Sequence, residues 1–591
     1  MSDRYYRQEF NYLVEEGREF SERYPDLAWQ LNLTDSRGRD PNVERLLEGF
    51  AFLTSRIQMR LDDDMPQLAD GLLSLLWPHY GRHIPSFCLM QFRPQAGELA
   101  EGLTVPAGAV VVSDALQSGL RCRYSTCFPL WVPPVTITGF AAESLGTACR
   151  LSLSFKPAAG VQPATLADHP LRVQMFGESH SCQEACNLLL GQEGDRRYLR
   201  QVVLKVTSGG QEETISLDPD TTITSCGLSQ EESLFPSGND LFWGFTLLQD
   251  YFVFPDKFLA FNLNLGAVLA RYPKIEKFEV ECRVEHAWPT DLSLTQDNFR
   301  LGVVPAVNLF RMDGEPIRAD HLRSSYRIKV DIQNPEAFLI YTVDKVEGIS
   351  LSDGRRRIYQ PLYAVRHRLE GPREQLEGPY YVLGRTRAPG GGSDLTLGLV
   401  DPAGKGVFPE EETLSLSLTC SNGGQGGRPP AGRIRQTLAG APDLLKPVNL
   451  NQPSQPIFPQ TQGRSVWSWL GIASLNFLNL ANPDRLRALL AMFEPGQDEA
   501  NQRRLTGIRT VKLEDVRERV FGSLVSGHRL KVVVDEDHFG GQGDTQLFAK
   551  VLGAFLEAFA SINCFLRLEV TLLPSGRKIM LGRTFGREKV L

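Results

Sequence analysis

Apolar positions near the start of the chain recur with helical spacing. Tyr6, Phe10, Leu13, Gly17, Phe20, Tyr24 and Leu27 follow one another at intervals of 4, 3, 4, 3, 4 and 3. That alternation places them in one a/d seam, the pattern of a coiled coil or a packed bundle. Asp40 and Pro41 then supply an N-cap and a proline at the first helical position. The helix they predict carries Val43, Leu47, Phe50, Ile57 and Leu61 on one stripe, widened by Leu46 and Leu53, with Arg45, Glu48, Arg56 and Arg60 on its other face. A third apolar stretch, Leu68 to Trp77, ends at Pro78. Two long seams with aromatic knobs in so short a region admit two readings: a private helical core, or a surface completed by a partner helix.

From Phe87 to Ser454 the pattern changes. Short runs of β-branched and aromatic residues alternate with Gly, Pro, Asn and Asp clusters, as in Val110 to Val112, Val202 to Val206, Phe278 to Val284 and Tyr326 to Val330. This spacing predicts antiparallel β-domains with long loops, and the length of the region predicts at least two of them. Leu414 to Cys420 is a clean alternating strand, followed by the glycine-rich Ser421 to Gly432. Prolines 442, 447, 453, 456 and 459 mark a linker or an extended arm.

At the C-terminal end Leu470 to Leu480 alternates as a strand, and Pro483 to Phe493 reads as a helix capped by Asn482. Ile508 to Leu513 and Arg529 to Asp535 read as strands, Thr545 to Ile562 as an apolar helix and Phe565 to Leu573 as a closing strand; Val516 to Leu524 fits either helix or strand. The order β-α-β-β-α-β is that of a ferredoxin-like split βαβ unit. The fold class expected is therefore α+β and multi-domain. It divides into a helical bundle segment (1–85), two β-rich antiparallel domains (86–270 and 271–440), a proline-rich linker (441–465) and an α+β C-terminal domain (466–591).

Composition narrows the function without naming it. The 591 residues carry 63 basic and 70 acidic side chains, a net charge of −7, and no basic stripe marks a nucleic-acid binder. The charged start MSDRYYRQEF argues against a signal peptide, and no run of 18 uncharged apolar residues suggests a membrane span. The ten cysteines have no repeated spacing and read as reduced cytosolic thiols.

The search for chemistry is thin. No G-x-x-x-x-G-K-[ST], H-E-x-x-H or G-x-S-x-G occurs. Phe539 to Asp544, FGGQGD, lacks the G-x-G-x-x-G order and follows acidic residues that would repel a phosphate; it reads as a β-to-α turn capped by Asp544. Asp535-Glu536-Asp537 lacks the remaining ligands of a calcium loop. Asp62-Asp63-Asp64 could hold magnesium, although acids at a helix end more often cap the next helix. His180, Cys182 and Cys186 form the closest His/Cys cluster without the second pair that zinc prefers, and Gly81 lies between His79 and His83. No catalytic, cofactor-binding or metal residue is expected, and no cofactor. Two other classes remain open: a β-rich binding or adhesin-like module, and an enzyme without a recognisable motif.

Four long segments carry a family resemblance. DPNVERLLEGFAFLTSRIQMRLDDDMPQLADGLLSLLWPHY (Asp40 to Tyr80), LQDYFVFPDKFLAFNL (Leu248 to Leu263), VNLFRMDGEPIRADHLRSSYRIKVD (Val307 to Asp331) and VVVDEDHFGGQGDTQLFAKVLGAFLEAFASINCFLRLEV (Val532 to Val570) resemble, in order, the TssF (ImpG or VasA) family of type VI secretion baseplate subunits. The resemblance implies a non-enzymatic wedge component of a phage-tail-like contractile machine. It implies assembly of two copies with one TssG, alongside TssK and TssE around a VgrG spike hub. It also implies a cytoplasmic location, with docking on an inner-membrane complex, and neither a nucleic acid nor a small-molecule substrate. The candidate partner interface on this reading is Tyr6, Phe10, Leu13, Phe20, Tyr24, Leu47, Phe50, Ile57 and Leu61.

Overall fold

The computed structural model describes residues 6, 10, 13, 45–46, 48–55, 79, 82–95, 101–116, 119–235, 243–272, 274–320, 323, 325–334, 337–351, 354–362, 380–387, 393–400, 411–423, 427–458, 481–496, 498–520, 523–559, 565–582 and 584–585. The chain divides into two compact units, one of Met1–Tyr80 with Thr461–Ser474 and the other of Gly81–Gln460 with Leu475–Leu591. In the first, residues 6, 10 and 13 are helical, and residues 45–46 and 48–55 belong to a helix named α1 here.

The second unit is built on antiparallel sheets with few helices. One sheet of six strands runs in the order Ile434–Ala439, Val110–Ser113, Arg123–Thr126, Val303–Val307, Phe87–Pro94, Leu445–Asn449. Its two end strands meet through Asn449, whose Oδ1 accepts from the Ile434 N–H at 2.8 Å and whose carbonyl accepts from Gly432 at 2.9 Å. The sheet thus curls around a core containing Met90, Phe92, Val111, Tyr124, Val304 and Ile434. The proline-rich segment supplies one of these strands. Leu445–Asn449 pairs with Phe87–Pro94, Leu450 donates to Leu89 O, and Ser454 Oγ accepts from Phe87 N at 2.9 Å. Over its described part it is an extended arm of the sheet and not a free linker. Pro447 is tolerated because it lies in an end strand, where a missing N–H removes little from the ladder.

A second core is enclosed by two further sheets. Five strands follow the order Gln211–Leu217, Leu199–Ser208, Lys277–Val284, Cys149–Pro157, Val135–Ser144, and four the order Ile223–Ser225, Ala260–Leu263, Leu171–Met175, Phe299–Leu301. Cys149, Leu151, Leu153 and Phe155 alternate inward along their strand, as do Val202, Leu204 and Val206 on the strand beyond Lys277–Val284, and helix α2 (Ser179–Leu190) adds Cys182, Leu188 and Leu189. Lys277–Val284 pairs with strands on both sides of it in this sheet, so the expected boundary at 270/271 falls inside one sheet. Gly302 joins the smaller sheet to the six-stranded one. Its φ is +68°, and a Cβ there would stand 2.6 Å from Phe92 O, so glycine alone fits the crossing.

An eight-stranded sheet completes the middle. Its longest partners are Phe338–Ser350 and Glu412–Asn422, and Leu414, Leu416, Leu418 and Cys420 are fully buried on alternate positions, as the pattern predicts.

Helix α3 (Trp243–Val253) follows in the middle region, and the C-terminal part holds α4 (Pro483–Met492), α5 (Glu499–Thr506) and α6 (Gln542–Phe559). Asn482 caps α4 as expected, accepting from Asp484 N at 2.8 Å. Ile508–Val520 and Ser523–Asp535 form a long hairpin, which resolves the ambiguous Val516 to Leu524 as strand over its described residues. Ser523–Asp535 then pairs directly and in parallel with Phe565–Leu573 through α6. A ferredoxin-like unit keeps another strand between such a pair, so this is an unsplit βαβ crossover and the ferredoxin-like reading is corrected. The expected strand Leu470 to Leu480 lies outside the described residues. Helix α6 packs on α2 and α3, where a Cβ on Gly244 would meet Ala558 Cβ at 3.0 Å and one on Gly543 the Gln183 carbonyl carbon at 2.4 Å.

Candidate assembly interface

Helix α1 turns its large apolar side chains outward. Leu46, Phe50 and Leu53 are 64%, 58% and 60% exposed, while Ala51 and Ser55 are fully buried. Positions 46, 50 and 53 are spaced i, i+4, i+7 and share one face; 51 and 55 share the opposite one. The inward face is therefore small, with Ser55 Oγ donating to Phe52 O at 2.8 Å, and the stripe that would normally build a core faces solvent. Hiding such Leu and Phe side chains stabilises a contact by roughly 1.5–3 kcal/mol each.

Of the nine interface residues expected from sequence, Phe50 lies on this outward face. Tyr6, Phe10 and Leu13 are helical and half-buried, and the rings of Tyr6 and Phe10 stack with centroids 6.0 Å apart. Phe20, Tyr24, Leu47, Ile57 and Leu61 lie outside the described residues. Leu46 and Leu53, which the sequence pattern places at the margin of the seam, complete the outward stripe. Their 4, 3 spacing with Phe50 was the available signal.

Gly49 borders the stripe, and nothing approaches a Cβ built there within 4 Å. In the chain alone Gly49→Ala should raise stability by about 0.5–1 kcal/mol through helix propensity. Gly49→Trp should leave the free chain folded and weaken capture by a helical partner. Denaturation midpoints and co-purification yields read the two effects separately.

The clusters weighed for chemistry have structural partners. His180 Nδ1 meets Gly540 O at 2.8 Å and Nε2 meets Asp291 Oδ2 at 3.3 Å. Burial pushes the Cys182 and Cys186 thiols up to about 12. A thiol reagent at pH 8 should accordingly label neither in the folded chain and both after unfolding, as read by peptide mass mapping. Asp535 pairs with Arg509 at 2.6 Å, a contact that holds its carboxyl below the usual range. Asp544 lies inside the first turn of α6 and not at its N-cap. It accepts from Gly540 N at 3.0 Å and, almost fully buried, pairs with Arg504 at 2.8 Å. His83 Nε2 lies 2.7 Å from Ser421 Oγ, and His79 is buried. Asp62, Asp63 and Asp64 lie outside the described residues. Among the described residues no three His, Cys, Asp or Glu side chains converge as metal ligands, and no helix is long and apolar enough to cross a membrane.

A second buried ion pair ties α3 to the turn Pro255–Phe258. Lys257 Nζ donates to Asp250 Oδ2, both side chains are 1% exposed, and Leu234 N donates to the same oxygen at 3.2 Å.

In the second unit buried ion pairs tie α5 to α6 and α3 to the turn that follows it, and in the first a helix offers its apolar side outward; this is the build of an assembly scaffold. The family model for "Type VI secretion system, TssF" matches residues 2–583, so the chain belongs to the TssF family, structural components of the type VI secretion baseplate and not enzymes. It is 28% identical to the type VI secretion system component TssF1 of Pseudomonas aeruginosa, over 97% of this chain and 96% of that one. Its fold is similar to a chain of a TssK-TssF-TssG baseplate subcomplex solved by cryo-electron microscopy, with a TM-score of 0.77, 29% identity, and coverage of 93% of this chain and 99% of the other. A chain of a type VI secretion baseplate complex matches over both full lengths with a TM-score of 0.60 and 26% identity.

Proposed function

We propose that this chain is a wedge subunit of the type VI secretion baseplate that joins TssG and TssK. The observation that carries this reading is the outward Leu46, Phe50 and Leu53 stripe on α1, supported by the similarity to a chain from a TssK-TssF-TssG subcomplex. The helical segment 1–85 is the assembling element, and its seams enter a shared helical bundle with TssG and a second copy of this chain in a 2:1 ratio. TssK and TssE join the same wedge, and six such wedges surround the VgrG hub. The assembly works in the cytoplasm, docked on the inner-membrane complex, and supports growth of sheath and tube for contractile delivery.

Co-expression with TssG and TssK, followed by size-exclusion chromatography with mass measurement, tests the reading. A co-eluting complex with two copies of this chain per TssG supports it. A chain that elutes alone in the presence of both contradicts it.

A further inference from the structure

The chain passes between its two units at Tyr80/Gly81, at Gln460/Thr461 and at Ser474/Leu475. The first two passes share one stem in the second unit. Phe87–Pro94 and Leu445–Asn449 pair as neighbouring strands, and bonds between the same two segments continue past the end of the ladder. Leu89 N donates to Asn451 Oδ1 at 2.8 Å, Phe87 N to Ser454 Oγ at 2.9 Å, and Ser454 N to Phe87 O at 2.8 Å. Ile84 and Ile457 then exchange two backbone bonds of 2.8 and 2.9 Å. Ile84 stands four residues after Tyr80, and Ile457 four before Thr461. Pro453 and Pro456 hold the returning segment extended by fixing its φ angles. A swinging linker leaves its backbone groups to water, whereas this one uses them within the stem.

The tip of the stem is held from the side as well. Ile84 is buried among Phe87, Phe254, Val307 and Tyr341. The His83 ring meets Tyr341 edge-on, with centroids 5.5 Å apart, and Phe458 at 5.9 Å, while the Arg82 guanidinium lies 5.1 Å over the Tyr341 ring. His83 Nε2 lies 2.7 Å from Ser421 Oγ. Ser421 and Asn422 are buried at the end of strand Glu412–Asn422, and Asn422 is tied in turn to the six-stranded sheet. Its Oδ1 accepts from Asn308 Nδ2 at 2.8 Å and from Arg123 N at 3.1 Å, and its N–H donates to Asn308 Oδ1 at 2.7 Å. His83 is thus bonded to a buried polar node that joins two sheets.

We propose that this stem is a fixed anchor for the helical unit, closed in the free chain and kept closed on assembly, with His83 as the positioning residue that holds its tip. The anchor fixes the points at which the chain leaves and re-enters the second unit. This role rests on the assembling function proposed above for the helical segment: a fixed root removes in advance part of the freedom that partner binding must otherwise take away.

The test uses the full chain. His83→Ala should speed exchange of the Ile84 and Ile457 amides about five- to tenfold, the change expected for a lost hydrogen bond with its ring contacts, while the amides of Phe565–Leu573 keep their rates. Unchanged exchange at Ile84 and Ile457 would overturn the anchor. Capture of TssG by His83→Ala should weaken about three- to tenfold, and an oxidised Ile84→Cys, Ile457→Cys pair added to that variant should restore it. In an otherwise unmodified chain the oxidised pair should capture TssG as well as the reduced pair does, a comparison that stands even if His83→Ala fails to fold. Capture lost on oxidation and regained on reduction would mean a stem that opens on assembly, and would overturn the proposal. Failure of every form to capture TssG, the unmodified chain included, would remove the assembling role itself, and the two amides would still decide whether the stem is closed.

Discussion

Phe50→Asp should abolish co-purification of this chain with TssG while leaving the free chain folded. Phe50 is 58% exposed, so a carboxylate there stays hydrated in the isolated chain, and its unfolding midpoint should move by no more than about 0.5 kcal/mol. In a helical interface the same carboxylate would be desolvated without a partner. Truncated or charged hot-spot residues cost about 2–4 kcal/mol, roughly a 30- to 1,000-fold loss of affinity. Leu46→Asp and Leu53→Asp should follow Phe50→Asp, since all three share one face. Normal yield of TssG with Phe50→Asp would remove this face from the interface.

The second large effect concerns stability and not assembly. Lys257→Met should destabilise the second unit by about 3–5 kcal/mol, because Asp250 would be left as an uncompensated carboxylate at 1% exposure. The double variant Lys257→Met, Asp250→Leu should recover most of that loss, since removing both charges strands neither. Urea titration of the three proteins reads the coupling directly, and additive losses would show that the pair does not act as a unit. Both residues lie in the Leu248 to Leu263 segment that carries the family resemblance, which gives that segment a packing reason: an aromatic run around one buried pair.

Local periodicity made part of this fold legible. Leu414 to Cys420 and Phe565 to Leu573 declared themselves by alternation or by their apolar run, and Asn482 by its capping chemistry, because each signal sits within ten residues. Helix α5 was missed since its sequence EANQRRLT is polar, and only Asn501 and Leu505 are buried. The six-stranded sheet was not legible either. Phe87–Pro94 pairs with Val303–Val307 and Leu445–Asn449, and no local pattern states which distant strand sets the register. The same limit explains the unsplit crossover: the order of elements matches several sheets, and the strand pairing alone separates them.

The outward face of α1 was half legible for a related reason. Spacing shows which residues share a helix face but not whether that face looks inward. On α1 the answer lies with Ala51 and Ser55, whose small buried side chains occupy the inner face and leave Leu46, Phe50 and Leu53 outside. A hydrophobic stripe facing solvent in the free chain is a different object from a core stripe with the same sequence period.

Hydrogen exchange on residues 45–55, with and without TssG, tests the assembling role of this helix most directly. Binding should slow exchange across α1 while the amides of the eight-stranded sheet keep their rates. A complex that forms with TssG yet leaves the 45–55 amides exchanging as in the free chain would contradict it.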